Sequence, residues 1–333
     1  MQINKFYNLN IKHPSNKWVD KGSTARYWLE RQKKAPVFYG DTTIKEITIP
    51  DAQALSHFQK IGLANRALNE ARLFLTLFSE TKSDCLSYVI TLDQGVLWIY
   101  SIVGSPHEHD DHDFNGTQLD IPKCYFINPA TPISPVTSSW GLPISEVPLI
   151  LASMRVNQAF SRGTFTEIRP DRYAGNIAAI KSVLGHEIGV INALDCLSSI
   201  EFETLVAKIF EEHGCFVPAY KGGFLQNIDL FVYPQNARTA IGSFIVAADE
   251  GSYSVQVKLR LDNCDRNLLD WLNTSKKNLL IVAQDSIQEQ DFYEKFQDQI
   301  FCRSWLRDAL NGASNTNNWL RRSLSWLGDA YTL

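Results

Sequence analysis

Ile228-Asp229-Leu230-Phe231-Val232-Tyr233 is a strongly apolar run with a single carboxylate near its start. A lone aspartate in such a run is costly to bury unless a partner or a metal compensates it. Further along, Tyr253 to Leu261 alternates strictly. Tyr253, Val255, Val257, Leu259 and Leu261 face one way, and Ser254, Gln256, Lys258 and Arg260 face the other. Gln256 and Lys258 therefore project from one face of one strand, about 7 Å apart along it. Upstream, Glu201, Glu203, Glu211 and Glu212 punctuate a helical stretch. Carboxylate and amide oxygens with a nearby ammonium suit a hard divalent cation and a phosphate ester.

These side chains need elements to carry them. Ser198 followed by Glu201 fits a capping box, so a helix starts there. Phe202, Leu205, Val206, Ile209 and Phe210 recur as one apolar stripe, and His213-Gly214 closes the helix. Glu203 falls at one edge of that stripe and Glu212 at the other, with Glu201 a little beyond. Facing thus permits Glu203 as a site residue without singling it out. Cys215-Phe216-Val217 reads as a short strand, followed by a loop with Lys221-Gly222-Gly223 and then the Asp229 strand. The polar stretch from Pro234 to Gly242 reads as a loop. Arg266 to Leu272 suggests a helix and Asn278 to Gln284 a buried strand. The order is α-β-β-β-α-β.

Glutamate on the helix, then aspartate, then Gln-x-Lys, in this order of elements, resembles the PD-(D/E)xK nuclease superfamily, and within it the Mrr-like branch of restriction endonucleases. The carriers are Phe202-Glu203, Gly222-Gly223 before Ile228-Asp229, and Gln256-Val257-Lys258. The likeness covers about residues 195–285. It implies an α/β fold, a restriction-endonuclease-like αβββαβ core with a mixed central sheet. It further implies endonucleolytic cleavage of DNA with Mg²⁺ or Mn²⁺, in a setting of defence against foreign or modified DNA. In that scheme Asp229 is the central metal ligand. The Gln256 amide oxygen and the Val257 backbone carbonyl complete the protein side, and Glu203 acts through the metal's water shell. Lys258 holds the attacking water and stabilises developing charge. Glutamine adds no charge, which favours one tightly held metal over two. Read without the likeness, Asp229 caps a loop and Lys258 is a solvated strand lysine.

Residues 190–333 hold 13 Lys+Arg against 18 Asp+Glu, a net −5, and residues 1–189 hold 19 against 18, a net +1. The total of −4 argues against bulk affinity for nucleic acid, so DNA contact must use a local patch. Candidates are Lys221, Gly222, Gly223 and Arg260, with Arg155 and Arg162 upstream. No apolar run is long enough to cross a membrane, and Met1 to Trp18 lacks a secretory core. The six scattered cysteines read as reduced thiols of a cytoplasmic protein.

The upstream region reads as a separate α+β domain, giving domains at 1–190 and 191–333. Leu63 to Phe78, Val147 to Phe160 and Ala174 to Leu184 are expected helices. Leu86–Leu92 and Val96–Val103 form an expected hairpin around Asp93-Gln94-Gly95, and Cys124–Ile127 a short strand. The Pro- and Ser-rich segment 128–143 is expected to be irregular. Trp98 and Tyr100 share a strand face, as core or as a base-stacking pair. His107, His109 and His112 have zinc-compatible spacing but read better as a solvated acidic loop. Trp319, Leu320, Leu324, Trp326 and Leu327 form an apolar arc that docks on its own domain or on a second copy. The upstream domain would supply DNA specificity. Rival readings are a nuclease activated by a small signalling nucleotide bound there, and a DNA-binding module without catalysis. RNA remains open as a substrate.

Overall fold

The computed structural model describes residues 5–10, 29, 34–37, 50–60, 65–80, 87–102, 126–132, 141–155, 165–218, 228–261, 266–286 and 290–332. The chain divides into two compact units, Met1–His186 and Glu187–Leu333. The whole is mixed α/β, with mixed sheets. Among the described residues no helix is long and apolar enough to cross a membrane.

The first unit contains β1 (Lys5–Leu9), β2 (Lys34–Val37), α1 (Asp51–Lys60), α2 (Asn65–Glu80), β3 (Ser87–Asp93), β4 (Val96–Ile102), β5 (Phe126–Pro132), β6 (Gly141–Pro143), α3 (Leu149–Ala152), β7 (Phe165–Glu167) and α4 (Pro170–Val183). Its sheet runs β2-β5-β4-β3-β1-β7, with β6 paired to β4. The expected hairpin is present. Gln94 and Gly95, at φ 45° and 75°, form its two-residue turn between the paired residues Asp93 and Val96. Positive φ at both positions is what a tight hairpin matched to strand twist requires. Trp98 and Tyr100 are fully buried, so they belong to the core and not to a stacking surface. The Tyr100 hydroxyl lies 2.8 Å from the Thr91 hydroxyl, which in turn donates to the Leu9 carbonyl at 2.9 Å.

One expectation fails in this unit. The segment 128–143 is not irregular throughout: β5 runs from Phe126 through Pro129 to Pro132, and β6 follows at Gly141. Residues 124–125 of the short strand expected at 124–127 lie outside the described part. Of the helix expected over 147–160, the described part holds α3 and a following 3-10 turn, Ser153–Arg155. Residues 156–164 lie outside the described part.

The second unit opens with β8 (Ile191–Asn192) and α5 (Ser199–Glu212). It continues with β9 (Cys215–Phe216), β10 (Leu230–Pro234), β11 (Thr239–Ile241), β12 (Phe244–Val246), β13 (Tyr253–Lys258), α6 (Arg266–Thr274), β14 (Asn278–Val282), α7 (Gln290–Lys295), β15 (Ile300–Phe301), α8 (Arg303–Asn311), α9 (Ser314–Ser323) and β16 (Tyr331–Thr332). The central sheet is β15-β14-β13-β10-β9. β13, β14 and β15 are parallel, and β9 and β10 antiparallel. The ends of the unit meet: β16 lies parallel to β8, with Tyr331 opposite Ile191. Where a loop was expected over 234–242, β11 and β12 form a second small hairpin. Strand β14 ends at Val282, two residues earlier than expected.

The capping box exists as two bonds. Glu201 N–H donates to Ser198 Oγ at 3.2 Å, and Ser198 N–H donates to a Glu201 carboxylate oxygen at 2.9 Å. The α5 stripe is buried at Phe202, Leu205, Val206, Ile209 and Phe210. Neighbouring rings run from Phe210 through Trp305, Phe301 and Phe244 to Tyr253, which places α5 on the Tyr253–Val255–Val257 face of the sheet. The opposite face is covered by Leu268 and Leu272 of α6, Phe292 of α7 and Phe296 just after it, packed with Leu280, Val282 and Ile300.

At the far end of α5, Glu212 caps α9. Its carboxylate accepts from Asn315 N–H at 2.9 Å and from Thr316 N–H and Oγ at 2.8 and 2.7 Å. Burial works against ionisation here, but these bonds hold the carboxyl below its ordinary range. Leu320, Leu324 and Leu327 of the C-terminal arc are buried within the unit, while Trp319 and Trp326 remain partly exposed. Ser198→Ala removes the side-chain acceptor of the box. It is expected to lower unfolding free energy by about 1 kcal/mol in a urea titration. An unchanged midpoint would show that the box contributes nothing.

Candidate active site

The β10–β13 ladder changes at Asp229. Leu230 stands opposite Val255, and Asp229 N–H donates to the Val255 carbonyl at 2.8 Å. Two successive residues thus address one residue of β13, the arrangement of a β-bulge, which re-aims a side chain. Asp229 lies just before β10 and not within it. Its Oδ2 accepts from Val257 N–H at 2.7 Å and from Gln256 Nε2 at 2.8 Å. The side chain therefore closes a rung that the backbone of β10 leaves open. A buried N–H must find an acceptor, and Val257 finds it in this carboxylate.

Within a strand, the N–H and C=O of one residue point to the same side. Because Val257 N–H and Val255 C=O both turn toward Asp229, the Val257 carbonyl turns the same way. Gln256 is paired with Leu280 and Lys258 with Val282, so both side chains share the face covered by α6 and α7. That cover explains why Gln256 is only 3% exposed. Its Oε1 is buried and accepts no hydrogen bond. An orphaned amide oxygen beside a carboxylate is an unmet demand for a donor or a cation. Lys258, two residues on, ends β13 and is partly exposed.

Glu203 comes from the second turn of α5 and is half-buried. Its carboxyl is pushed up to about 7, mainly by burial, further by the negative charge of Asp229, and opposed by the Lys258 ammonium. Glu203, Asp229 and Lys258 therefore form one electrostatic cluster. Glu201, which faces alone would have allowed, is occupied by the capping box. Glu212 is occupied by the α9 cap. The structure thus separates Glu203 from its neighbours where helical facing could not.

Among the described residues no group of three or more His, Cys, Asp or Glu could hold a metal ion. The cluster offers two carboxylates, the orphaned Gln256 oxygen and the adjacent Val257 carbonyl. Such an all-oxygen, sparsely charged donor set fits a single hard cation that keeps much of its water.

Lys221, Gly222, Gly223 and Arg162 lie outside the described residues, as do His107, His109 and His112. The backbone of Arg155 ends a 3-10 turn in the first unit, and its side chain lies outside the described part. Arg260 is not on β13, which stops at Lys258. It is exposed, two residues beyond the strand. The alternation breaks there because Leu261 N–H turns to the Gln284 side chain at 2.6 Å. Two exposed aromatics of the site's own sheet, Phe216 and Tyr233, were not singled out by sequence. Runs of apolar residues conceal which of them face water.

Compared with protein-family models, with curated proteins and with solved structures, the chain matches none.

The Glu203 environment gives a stability signature in metal-free protein. Below pH 4.5 the carboxyl is protonated in folded and unfolded chains alike. As pH rises from 4.5 through 7, the folded chain keeps a proton that the unfolded chain has lost, so stability falls, and the ionised group then carries its burial penalty. Glu203→Gln is expected to match wild type near pH ~4 and to exceed it near pH ~8 by on the order of 1 kcal/mol, after solvent screening. Urea titrations in chelator at the two pH values check this. Equal pH dependence of the two proteins would show an ordinary carboxyl.

Proposed function

We propose that the second unit is a Mg²⁺-dependent endonuclease of the PD-(D/E)xK type, acting on DNA, and that the first unit supplies specificity or sensing. One observation carries this reading. Asp229 Oδ2 is held jointly by Val257 N–H and Gln256 Nε2, with Lys258 following on the Gln256 face. The succession α5, β9, β10, β13, α6, β14, interrupted by the β11–β12 hairpin, supports a restriction-endonuclease-like αβββαβ core. Glu203, placed electrostatically beside Asp229 and Lys258, supports the fourth position.

Asp229, the Gln256 amide oxygen and the Val257 carbonyl would hold the metal, with Glu203 acting through its water. When bound, the ion neutralises phosphate charge and lowers the pKa of a water molecule. The chain's own groups do the rest. The two bonds to Oδ2 fix the Asp229 carboxylate before any substrate arrives, so little reorganisation is needed at the moment of reaction. Lys258 places a positive charge at the mouth of the site, where the phosphate gains negative charge. Glu203, titrating near neutrality, can hold or release a proton at that place. Gln256 orients Asp229 without adding a second permanent charge. The second unit, Glu187–Leu333, holds 13 Lys+Arg against 19 Asp+Glu, and a net charge of −6 is poorly suited to hold duplex DNA as a passive binding module, which favours the catalytic reading over that rival.

The test is cleavage of supercoiled plasmid, methylated and unmethylated, with Mg²⁺ or Mn²⁺. Wild type is expected to nick or linearise it, and Asp229→Ala and Lys258→Ala to lose about 10³-fold and about 10²-fold in rate, respectively. Chelation is expected to abolish cutting. Variants that cut as fast as wild type would remove these residues from the mechanism. An inactive wild type that gains activity with added nucleotides would favour the ligand-activated form.

A further inference from the structure

Phe216 and Tyr233 are 55% and 40% exposed, unusual for large rings in a central sheet. They are directly paired across β9 and β10. Their ring centroids are 6.4 Å apart and tilted at 44°, so they do not close flat on one another. The residues turned to the opposite face at the same strands, Cys215, Leu230, Val232 and Pro234, are all buried. The exposed pair is therefore not needed to complete the core.

Register places this pair with the candidate site. Phe231 is opposite Ser254, and Ser254, Gln256 and Lys258 alternate onto one face of β13. Phe231 and Tyr233 are two apart, and Tyr233 is opposite Phe216. Phe216, Tyr233 and Phe231 thus form an aromatic strip on the Gln256–Lys258 face. α6 and α7 cover that face over β14, whereas Phe216 and Tyr233 on β9 and β10 stay open. Tyr233 lies four residues from Asp229, about 13 Å along the strand, within reach of neighbouring nucleotides.

We propose that this aromatic strip stacks the bases of an unpaired nucleic-acid strand whose phosphodiester lies at Asp229 and Lys258. The proposal rests on the nuclease reading for its register and names the substrate class of that site. Bases within a duplex already stack on their neighbours, so only unpaired or splayed bases offer a face to side chains. Stacking also answers the charge problem. A unit of net −6 has little phosphate-neutralising capacity, and ring–base contacts hold a strand without it and without regard to sequence. Edge strand β9 is two residues long, which leaves little backbone for pairing with another chain.

The experiment uses the full chain in chelator, so that nothing is cut, with a single-stranded oligonucleotide carrying 2-aminopurine and with its duplex. Wild type is expected to quench the single strand and to bind the duplex more weakly. The double variant Phe216→Leu/Tyr233→Leu is expected to bind the single strand roughly 10–100-fold more weakly. Tyr233→Phe keeps the ring and is expected to stay within about twofold. No quenching by wild type, an unaffected double leucine variant, or preference for duplex would overturn the proposal. So would sedimentation showing a wild-type dimer that the double variant converts to monomer, since the strip would then join two copies. The two readings fail separately: a chain that quenches but cuts neither plasmid nor single strand with Mg²⁺ or Mn²⁺ loses the nuclease assignment alone, and one that cuts without quenching loses the stacking strip alone.

Discussion

The second unit is organised around one acceptor, Asp229 Oδ2. Two donors of β13, one from backbone and one from a side chain, converge on it. Without it the Val257 N–H would be stranded where β10 turns away, and the Gln256 amide would be buried with neither end satisfied. The same bonds bridge β10 and β13 where their backbone ladder ends. A carboxylate is tolerated there because its lone pairs are the structure's only means of finishing the ladder. Its readiness for a cation follows from the same geometry, since one amide oxygen remains unanswered beside it.

The two acidic groups of the cluster are kept in different conditions. Asp229 is tied down by donors. Glu203 instead is carried in on a helix that packs on the other face, and burial with a neighbouring negative charge raises its proton affinity. Lys258 works against that rise. The helix that presents Glu203 is anchored at both ends by its own glutamates, Glu201 in the capping box and Glu212 in the α9 cap. Three of the four glutamates of this helix thus sit in three separate settings, and of those three only Glu203 lies beside Asp229 and Lys258.

Much of this was legible in the sequence because it depends on short-range rules. The Ser198–Glu201 box, the α5 stripe and the alternation from Tyr253 to Lys258 follow from spacing alone, as does the turn at Gln94-Gly95. What escaped depends on partners distant in sequence. Strand β13 was expected to reach Leu261, but Gln284 captures the Leu261 N–H and the alternation ends. The stretch after Pro234 is polar enough to pass for a loop. It forms a hairpin because Phe244 packs on Phe301 and Tyr253, and the Ile241 carbonyl accepts from Trp305 Nε1 at 2.8 Å. β5 carries Pro129 and Pro132 although β2 and β4 flank it, which composition could not foretell. Nor does an apolar run disclose that Phe216 and Tyr233 face water while Val232 does not.

The pairing of β16 with β8 has a consequence of another kind. It brings Tyr331 beside Ile191, so the second unit starts and finishes at one seam. A body whose entry and exit adjoin can be grafted onto a host polypeptide from either side, or spliced into a surface turn, with its interior undisturbed. Such a body is a transferable cassette. Recombination could attach the same unit to different neighbouring domains while leaving its own fold intact.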